Sequence, residues 1–335
     1  MNPLQFLRTL GLVLGTLLVP VARGEVRLLN ASFDISRELF QAINGEFVAE
    51  WKRQTGENLV VNQSHAGSSK QARAVIDGLT ADVITFNQVT DVEQVAAKGL
   101  VEADWRTRFP HDSSPFVSTI VFLVRKGNPK GIRDWNDLVR PGLEVIVPNP
   151  KTSGNGRYSY LAAYAYALRQ PQGSETKARE FVGRLFCNVP VLDTGGRGAT
   201  TTFVQNGIGD VLLTFEPEVL LTAKDLGQDR FEVVTPSVSV EAELPVAVVT
   251  SVAKRRGTTR VAEAYLRFLF SERGQELAAQ NFYRPRSAAV ADRFGQQFAR
   301  LELIRVEAVF GQWPEVQKTH FAEGGIFDQI FQKSR

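Results

Sequence analysis

The sequence has few of the residues that most often carry catalysis or bind metals. Its 335 residues include one cysteine, Cys187, and three histidines, His65, His111 and His320. A single cysteine excludes an internal disulfide bond, and the histidines lack the paired spacing of a zinc site. The G-x-x-x-x-G-K-[ST] phosphate-binding motif and the G-x-S-x-G motif of serine hydrolases are also absent. We therefore expect no metal and no cofactor, and we interpret Cys187 as a small buried hydrophobic residue.

Long apolar runs are missing except at the start of the chain. Residues 1–24 contain Arg8, then an apolar stretch over residues 10–21, then small residues three and one before a cut after Gly24. This stretch is shorter than the ~20 residues of a membrane-spanning helix, so the pattern predicts a cleaved secretory signal peptide. The segment holds two arginines and no acidic residue, so its removal lowers the formal net charge from +3 to +1. We expect a periplasmic protein that begins at Glu25, and the scattered basic residues do not indicate a nucleic-acid partner.

After this segment the chain alternates strand-like and helix-like stretches. The first unit is predicted to have strands over residues 26–32, 58–64 and 81–87, and helices over residues 37–54, 69–79 and 91–98. The second is predicted to have strands over residues 118–126, 143–149, 189–193, 210–215, 231–234 and 243–252, and helices over residues 157–169, 178–186 and 259–280, the last interrupted near Gly274. Such alternation predicts an α/β fold of mostly parallel sheets flanked by helices.

The length favours two lobes over one core. We expect residues 25–116 and 247–335 to form a discontinuous first lobe and residues 117–246 to form the second. The connections would lie near residues 115–119 and 244–248. A ligand would then bind in the cleft between the lobes, outside the carboxyl ends of the strands.

Four polar corners, each between a predicted strand and a predicted helix, share one composition. Their sequences are NASFDISRELF, QSHAGSSK, PNPKTSGNGRYSY and LDTGGRGATTTF. Helix N-termini leave backbone N–H groups without intrahelical partners, glycines allow close approach, and Ser or Thr add hydroxyl donors. An ordinary N-cap explains any one corner. Because all four follow predicted strands, together they predict a site for an anion or another polar ligand.

Several side chains near these corners allow two interpretations. His65 lies three residues before Ser68, as a Ser–His hydrolase would suggest, but closeness in sequence is not triad geometry, and His65 also fits a capping or supporting role. Arg157 and Arg197 each lie beside a glycine corner, either as solvent-exposed residues or as charges near the anion.

The mature chain, nearly end to end, resembles the periplasmic sulfate- and thiosulfate-binding proteins of ABC importers. The stretches that carry the resemblance are QSHAGSSKQA, STIVFLVRKGNPKGIRDWNDLVRPG, NPKTSGNGRYSYLAA, TGGRGATTTF, GIGDVLL and NFYRPR. The resemblance implies the two-lobed, type II periplasmic binding protein fold, which closes on one dianion and holds it with neutral donors. It also implies a receptor without catalytic activity, a membrane-embedded permease as partner and a monomeric state.

The resemblance further implies the residues of the site. Backbone N–H groups would bind the anion at Asp34, Ser68, Gly154, Asn155 and Gly196, and Ser153 would donate its hydroxyl. A carboxylate beside the anion would repel it, so we expect the Asp34 side chain to turn away and cap a helix. Further candidates around the site are His65, Ser69, Asn87, Gln88, Arg157 and Arg197.

Phe215 departs from the sulfate-binding branch, which has an indole N–H donor at this position of the strand GDVLLTF. An aromatic face without a donor would suit the large, weakly accepting sulfur of thiosulfate, although Phe215 is equally interpretable as a core aromatic. Asn87 and Gln88 are either replacement donors or an ordinary polar turn. We predict a receptor for thiosulfate that also takes sulfate. The alternatives are a strictly sulfate-specific receptor and a secreted serine hydrolase that uses Ser68 and His65.

Overall fold

The computed structural model describes residues 25–225 and 229–333, so the predicted signal peptide, residues 1–24, lies outside the described residues. The described strands are β1 (Val26–Phe33), β2 (Leu59–Ala66), β3 (Val83–Thr85), β4 (Phe116–Ser118), β5 (Ile120–Arg125), β6 (Val145–Pro148), β7 (Leu192–Asp193), β8 (Val211–Phe215), β9 (Phe231–Val234), β10 (Val238–Glu243), β11 (Val246–Val248), β12 (Arg284–Pro285) and β13 (Glu302–Arg305). The described helices are α1 (Arg37–Thr55), α2 (Ser68–Ile76), α3 (Val89–Ala96), α4 (Pro110–Ser113), α5 (Gly154–Leu168), α6 (Glu175–Cys187), α7 (Gly196–Val204), α8 (Glu216–Asp225), α9 (Thr250–Arg256), α10 (Thr259–Leu269), α11 (Glu272–Gln280), α12 (Ala288–Phe294), α13 (Val306–Phe310), α14 (Trp313–Val316) and α15 (Ile326–Lys333).

The first sheet has the strand order β11-β3-β1-β2. Strands β2 and β3 run parallel to β1, and β11 runs antiparallel to β3. Helix α1 covers this sheet with an apolar face that includes Leu39, Phe40, Ile43, Phe47 and Trp51, all buried. The predicted β-α-β-α-β-α unit is therefore confirmed, and the carboxyl ends of its three parallel strands lie at one edge.

The second sheet has the order β7-β6-β8-β5-β9. Strands β7 and β8 run parallel to β6, whereas β5 runs antiparallel to both β8 and β9. Helix α5 has fourteen buried residues out of fifteen, so it lies in the core and not on the surface. The α/β class predicted from the sequence is confirmed, with one antiparallel strand inside the second sheet.

A third sheet, of order β12-β4-β10-β13, was not predicted. Strand β4 leads from the first unit directly into β5, and β10 leads back through two residues to β11. Strands β4 and β10 pair antiparallel, with Val117 opposite Glu243 and Ser118 opposite Ala242. The chain therefore crosses between the two lobes on neighbouring, hydrogen-bonded strands.

Some local predictions were wrong. Residues 243–252 are not one strand, because β11 ends at Val248 and α9 begins at Thr250. By contrast, the interruption predicted near Gly274 is confirmed. Helix α10 ends at Leu269 and α11 begins at Glu272, where Ser271 accepts a hydrogen bond from the Gly274 N–H at 3.1 Å and caps α11. Cys187 is exposed, because it is the last residue of α6 and follows the buried face of that helix.

The last part of the chain packs on helices of the second lobe, although we had assigned it to the first. Helix α15 contacts α6, and Tyr160 of α5 hydrogen-bonds the buried His320 through its hydroxyl at 3.0 Å. Lys151 donates to the Asp328 carboxylate at 2.8 Å. We therefore propose that residues 302–333 belong with the second lobe. None of the described helices is long and apolar enough to span a membrane.

Candidate functional site

Five strand-to-helix corners, three from the first lobe and two from the second, face one another. After β1 the chain makes a short 3₁₀ turn at Asp34–Ser36, and Gly67 precedes α2. Gln88 caps α3, Ser153 caps α5, and Gly195 precedes α7. Four of these corners were predicted to converge, and the corner at Gln88 adds a fifth. Each corner ends in a helix N-terminus, where backbone N–H groups lack intrahelical acceptors.

The corners approach so closely that two of them have no room for a side chain. A Cβ atom on Gly67 would lie 3.0 Å from the carbonyl oxygen of Thr194 and 3.1 Å from that of Thr152. A Cβ atom on Gly154 would clash with the side-chain oxygen of Asn87. Glycine at these positions therefore allows the two lobes to touch across the cleft.

Ser153 lies at the start of α5, and its hydroxyl group has a hydrogen-bond partner there. Its Oγ accepts a hydrogen bond from the Gly156 N–H at 3.4 Å, which makes it the N-cap of α5. A hydroxyl group has one proton, and an Oγ that accepts from the helix keeps that proton free to donate elsewhere. Ser153 is buried, and no acceptor for this proton is present among the described residues.

The Asp34 carboxylate caps a helix of the opposite lobe. Its Oδ2 accepts a hydrogen bond from the Arg197 backbone N–H at 3.1 Å, in the first turn of α7. The expected capping role of the Asp34 side chain is therefore present. The helix that it caps is α7, across the cleft, and not α1, which follows Asp34 in the chain. Burial raises the pKa of Asp34, while its hydrogen bond to the Arg197 N–H opposes that rise.

Four buried side-chain atoms around the corners have no hydrogen-bond partner among the described residues. They are Ser68 Oγ, Asn87 Oδ1, Gln88 Nε2 and Asn155 Oδ1. Buried polar atoms are nearly always paired, because leaving one unpaired costs about 1–3 kcal/mol. Their concentration at the corners that the sequence singled out indicates a place for a polar ligand.

Arg157 forms a buried ionic network between the lobes. Its guanidinium donates to Asp91 at 3.2 Å and to Thr90 Oγ1 at 3.2 Å, and the side chains of Arg157 and Asp91 are 4% and 0% exposed. The Ser69 hydroxyl also donates to Asp91, at 3.0 Å. Arg157 is therefore not a solvated surface residue, and its charge is matched by Asp91 and not left for the ligand.

Arg197 forms a second ionic network, at the edge of the cleft. It donates to both carboxylate oxygens of Glu38 on the first lobe, at 2.9 and 3.1 Å. Its Nε lies 3.3 Å from Glu218, which is buried on α8. Burial raises the pKa of Glu218 to about 7, and the neighbouring Arg197 partly opposes that rise.

The Ser68–His65 pair does not have triad geometry. His65 Nδ1 lies 3.2 Å from the carbonyl oxygen of Phe33, and Ser68 Oγ is one of the unpartnered atoms. Burial lowers the pKa of His65. Within residues 25–225 and 229–333, no group of His, Cys, Asp and Glu side chains could hold a metal ion.

Phe215 ends β8 and is fully buried. Its ring centroid lies 5.9 Å from that of Tyr158 on α5, so it is part of the core next to the start of that helix. The preceding residue, Thr214, accepts a hydrogen bond from Asn155 Nδ2 at 2.6 Å. The end of β8 thus reaches the helix start that Ser153 caps.

Sequence reasoning missed the carboxylates that hold the two arginines. Asp91, Glu38 and Glu218 each lie in the first turn of a helix, where acidic residues are common for local reasons. Nothing in their spacing shows that their partners lie 66 positions away for Asp91, 159 for Glu38 and 21 for Glu218 (218 − 197). Thr214 was likewise indistinguishable from other strand residues.

Comparison with known proteins places these features in context. Residues 35–284 match the family model of bacterial extracellular solute-binding proteins. The chain is 54% identical over 321 residues to the thiosulfate-binding protein of Pseudomonas aeruginosa, covering 96% of each chain, and 53% identical over 306 residues to the sulfate-binding protein of Escherichia coli, covering 91% of this chain and 93% of that one. The solved structure of the sulfate-binding protein SubI from Mycobacterium tuberculosis superposes with a TM-score of 0.80 at 32% identity, covering 88% of this chain and 99% of that one.

Proposed function

Because the chain belongs to the family of bacterial extracellular solute-binding proteins, and within it to the sulfate- and thiosulfate-binding proteins, we propose that it captures thiosulfate, and also sulfate, in the cleft. It delivers the anion to the membrane-embedded permease of an ABC importer. The protein acts in the periplasm as a monomer and catalyses no reaction. It enters the periplasm after cleavage behind Gly24, so the exported form should begin at Glu25, and the mass of the secreted protein tests this start.

The observation that carries this proposal is the polarity of the corners. Five helix starts, whose first backbone N–H groups lack intrahelical acceptors, face one another. The nearby carboxylates are already engaged, Asp34 with the backbone N–H of Arg197 and Asp91 with the guanidinium of Arg157. Thiosulfate and sulfate are fully deprotonated near neutral pH, so every contact with them should be a donor. Donors held by helices need little rearrangement, and they are strengthened in a cleft from which water is excluded.

The residues that we assign to the anion lie at the corners described above. The backbone N–H groups of Asp34, Ser68, Gly154, Asn155 and Gly196 bind it, together with the Ser153 hydroxyl. His65, Ser69, Arg157 and Arg197 support the site from behind, because each is engaged with protein groups. Asn87 and Gln88 lie at the fifth corner, beside Gly154.

Calorimetric titration of the ligand-free protein tests the proposal directly. We expect stoichiometric, saturable binding of thiosulfate and sulfate. Phosphate keeps a proton at pH 6–8, and a site made of donors leaves that proton without an acceptor, at a cost of about 1–3 kcal/mol. Weak phosphate competition is therefore expected. Absence of binding by either sulfur oxyanion, or hydrolysis of a test ester that needs Ser68 and His65, would overturn the proposal.

We assign the preference for thiosulfate to Phe215, which offers no donor at the end of β8. In Phe215→Trp an indole N–H would be added, which favours an oxygen over the poorly accepting terminal sulfur. Overpacking by the larger ring weakens the binding of both anions by roughly 1–3 kcal/mol, and this loss cancels in the ratio of the two affinities. We expect the ratio of affinities to move toward sulfate by about 1.5–3 kcal/mol, as for one hydrogen bond to a charged group. An unchanged ratio, or a move toward thiosulfate, would remove Phe215 from the selectivity and leave Asn87, Gln88 and Asn155 as the next candidates.

A further inference from the structure

Two buried amide side chains, one from each lobe, meet at the start of α5. Gln88 belongs to the first lobe and Asn155 to the second, and they are 0% and 1% exposed. The Cβ of Gln88 lies 3.0 Å from the Cβ position of Gly154, the residue before Asn155. Each amide has one polar atom in a hydrogen bond and one without a partner among the residues described. The mechanism of capture by backbone donors does not use either of them.

The orientation of the Gln88 amide is fixed by the helix that it begins. Its Oε1 accepts a hydrogen bond from the Val89 backbone N–H at 3.1 Å. Because that bond holds the oxygen toward α3, the amide nitrogen must point away from the helix. Gln88 Nε2 is a buried donor with no acceptor in the described protein, so it is free to donate to a bound molecule at this corner.

The orientation of the Asn155 amide is fixed by Thr214. As placed, Asn155 Nδ2 donates to Thr214 Oγ1 at 2.6 Å, and Oδ1 is unpartnered. A hydroxyl group can donate as well as accept, and the oxygen and nitrogen of an amide occupy nearly the same positions. With the amide reversed, Thr214 donates to Oδ1, and Nδ2 takes the position that has no described partner, as a free donor.

We propose that the side-chain amides of Gln88 and Asn155 bind the anion directly, and that Thr214 holds the Asn155 amide in the orientation that presents its N–H group. This inference rests on the proposed function and adds side-chain donors from both lobes to the backbone donors. Because Phe215 offers no donor, we assign the two amides to the ligand atom that is an oxygen in sulfate and the terminal sulfur in thiosulfate. The two amides are what allow one site to hold sulfate as well as thiosulfate.

The chemistry of that atom gives the proposal a specific signature. In sulfate the atom is an oxygen, which is a strong acceptor, whereas in thiosulfate it is a sulfur, which accepts hydrogen bonds weakly. Loss of an amide donor should therefore weaken sulfate binding more than thiosulfate binding. A residue that merely supports the fold would weaken both anions equally, because the rest of the two ligands is the same.

The test measures sulfate and thiosulfate affinities, by calorimetry, in Gln88→Leu and Thr214→Val. We expect sulfate affinity to fall by about tenfold or more in Gln88→Leu, with a loss for thiosulfate at least about threefold smaller. Thr214→Val keeps the shape of the side chain, and it should give a smaller loss in the same direction. Thermal unfolding of each ligand-free variant separates binding from stability.

Two control variants match these changes. Gln170→Leu makes the same replacement two residues past the far end of α5, and Ser159→Ala removes a buried hydroxyl, also without a described partner, one turn beyond Asn155. Both should keep wild-type affinities. Unchanged affinities in Gln88→Leu, or equal losses for both anions, would overturn the proposal. Failure of the wild-type protein to bind either anion would instead overturn the proposed function.

Discussion

The two lobes are joined across the cleft by two arginines that follow the same plan in different surroundings. Arg157 and Arg197 each lie in the first turn of a second-lobe helix, immediately after a glycine corner, and each binds a first-lobe carboxylate. The Arg157–Asp91 side chains are 4% and 0% exposed. Those of Arg197 and Glu38 are 36% and 38% exposed. The two pairs share the donor type, the acceptor type and the position in the fold. They differ in how far their side chains are exposed to solvent.

This difference determines what each pair contributes. A solvent-exposed pair is screened by water and salt and contributes about 0–1 kcal/mol. A buried pair contributes little relative to apolar residues of the same shape, but removal of one partner leaves a buried charge without compensation. We therefore expect the Arg157 network to be intolerant of single changes and the Arg197 network to be tolerant, even though both connect the same two lobes.

The largest effect is expected for Arg157→Met. Methionine removes the charge and leaves the buried Asp91 carboxylate with only the Ser69 hydroxyl as a described side-chain donor. The free energy of unfolding, measured by urea denaturation, should fall by about 3–5 kcal/mol.

The double variant Arg157→Met/Asp91→Asn is the control for this change. It removes both charges and keeps an amide near Ser69, so it should recover more than half of the loss. A fall below about 1 kcal/mol in the single variant would show that Asp91 is not held as a buried charge, and it would remove the contrast with Arg197.

The second prediction concerns pH and the carboxylate behind Arg197. Burial raises the pKa of Glu218 from 4.5 to about 7, so the folded protein keeps a proton that the unfolded chain has lost. The contribution of this protonated carboxyl group to the free energy of unfolding is fully present below pH 4.5, and it is lost as the pH rises through 7. A shift of this size corresponds to about 3 kcal/mol in the free energy of unfolding.

Glu218→Gln isolates this contribution, because glutamine has the same shape and does not titrate. The free energies of unfolding of the two proteins should diverge as the pH rises from 4.5 to 7, with the variant becoming the more stable one. Parallel curves over this range would mean that Glu218 is ionised throughout and is fully compensated by Arg197.

The third prediction concerns ligand affinity beside Arg157. Ser153→Ala removes a hydroxyl whose proton is free for the anion, and thiosulfate binding should weaken by about 1–3 kcal/mol. Ser68→Ala keeps the backbone N–H that we assign to the ligand, so its effect should be smaller, even though Ser68 Oγ has no partner among the described groups. Calorimetry of both variants compares the two corners, and equally negligible losses would show that the ligand lies elsewhere.

The sequence was most informative where local rules decide the structure. Residues 26–98 were predicted nearly element by element, because apolar residues recur with helical spacing in α1 and small polar residues separate the strands of this unit. The third sheet was missed, since β4 has only three residues and its Ser118 pairs with Ala242 of β10, over a large sequence separation. Pairing of that kind depends on how the lobes assemble, and it leaves no periodic signal in either strand.

The site was predictable at its corners but not between them. Ser153 and Gly154 were correctly expected at a helix start, because N-caps and glycines have strong positional preferences. Arg157 was open to two interpretations, and only the fold shows that it is buried with Asp91. Whether a charged residue is solvated or paired depends on the opposite lobe, which local sequence does not describe.

The smallest effect is expected for Glu38→Gln, the counterpart of the Arg157 variant. Glutamine removes the charge that holds Arg197 from the first lobe, but both side chains are more than one-third exposed, and water replaces the lost contact. Arg197 also keeps the buried Glu218 within 3.3 Å. The free energy of unfolding should fall by less than about 1 kcal/mol, and by less still at high salt, because ions already screen the exposed pair. Urea denaturation of wild type and variant at low and high ionic strength measures both quantities. A salt-independent loss above about 2 kcal/mol would mean that Glu38 is as indispensable as Asp91, and that exposure does not distinguish the two connections between the lobes.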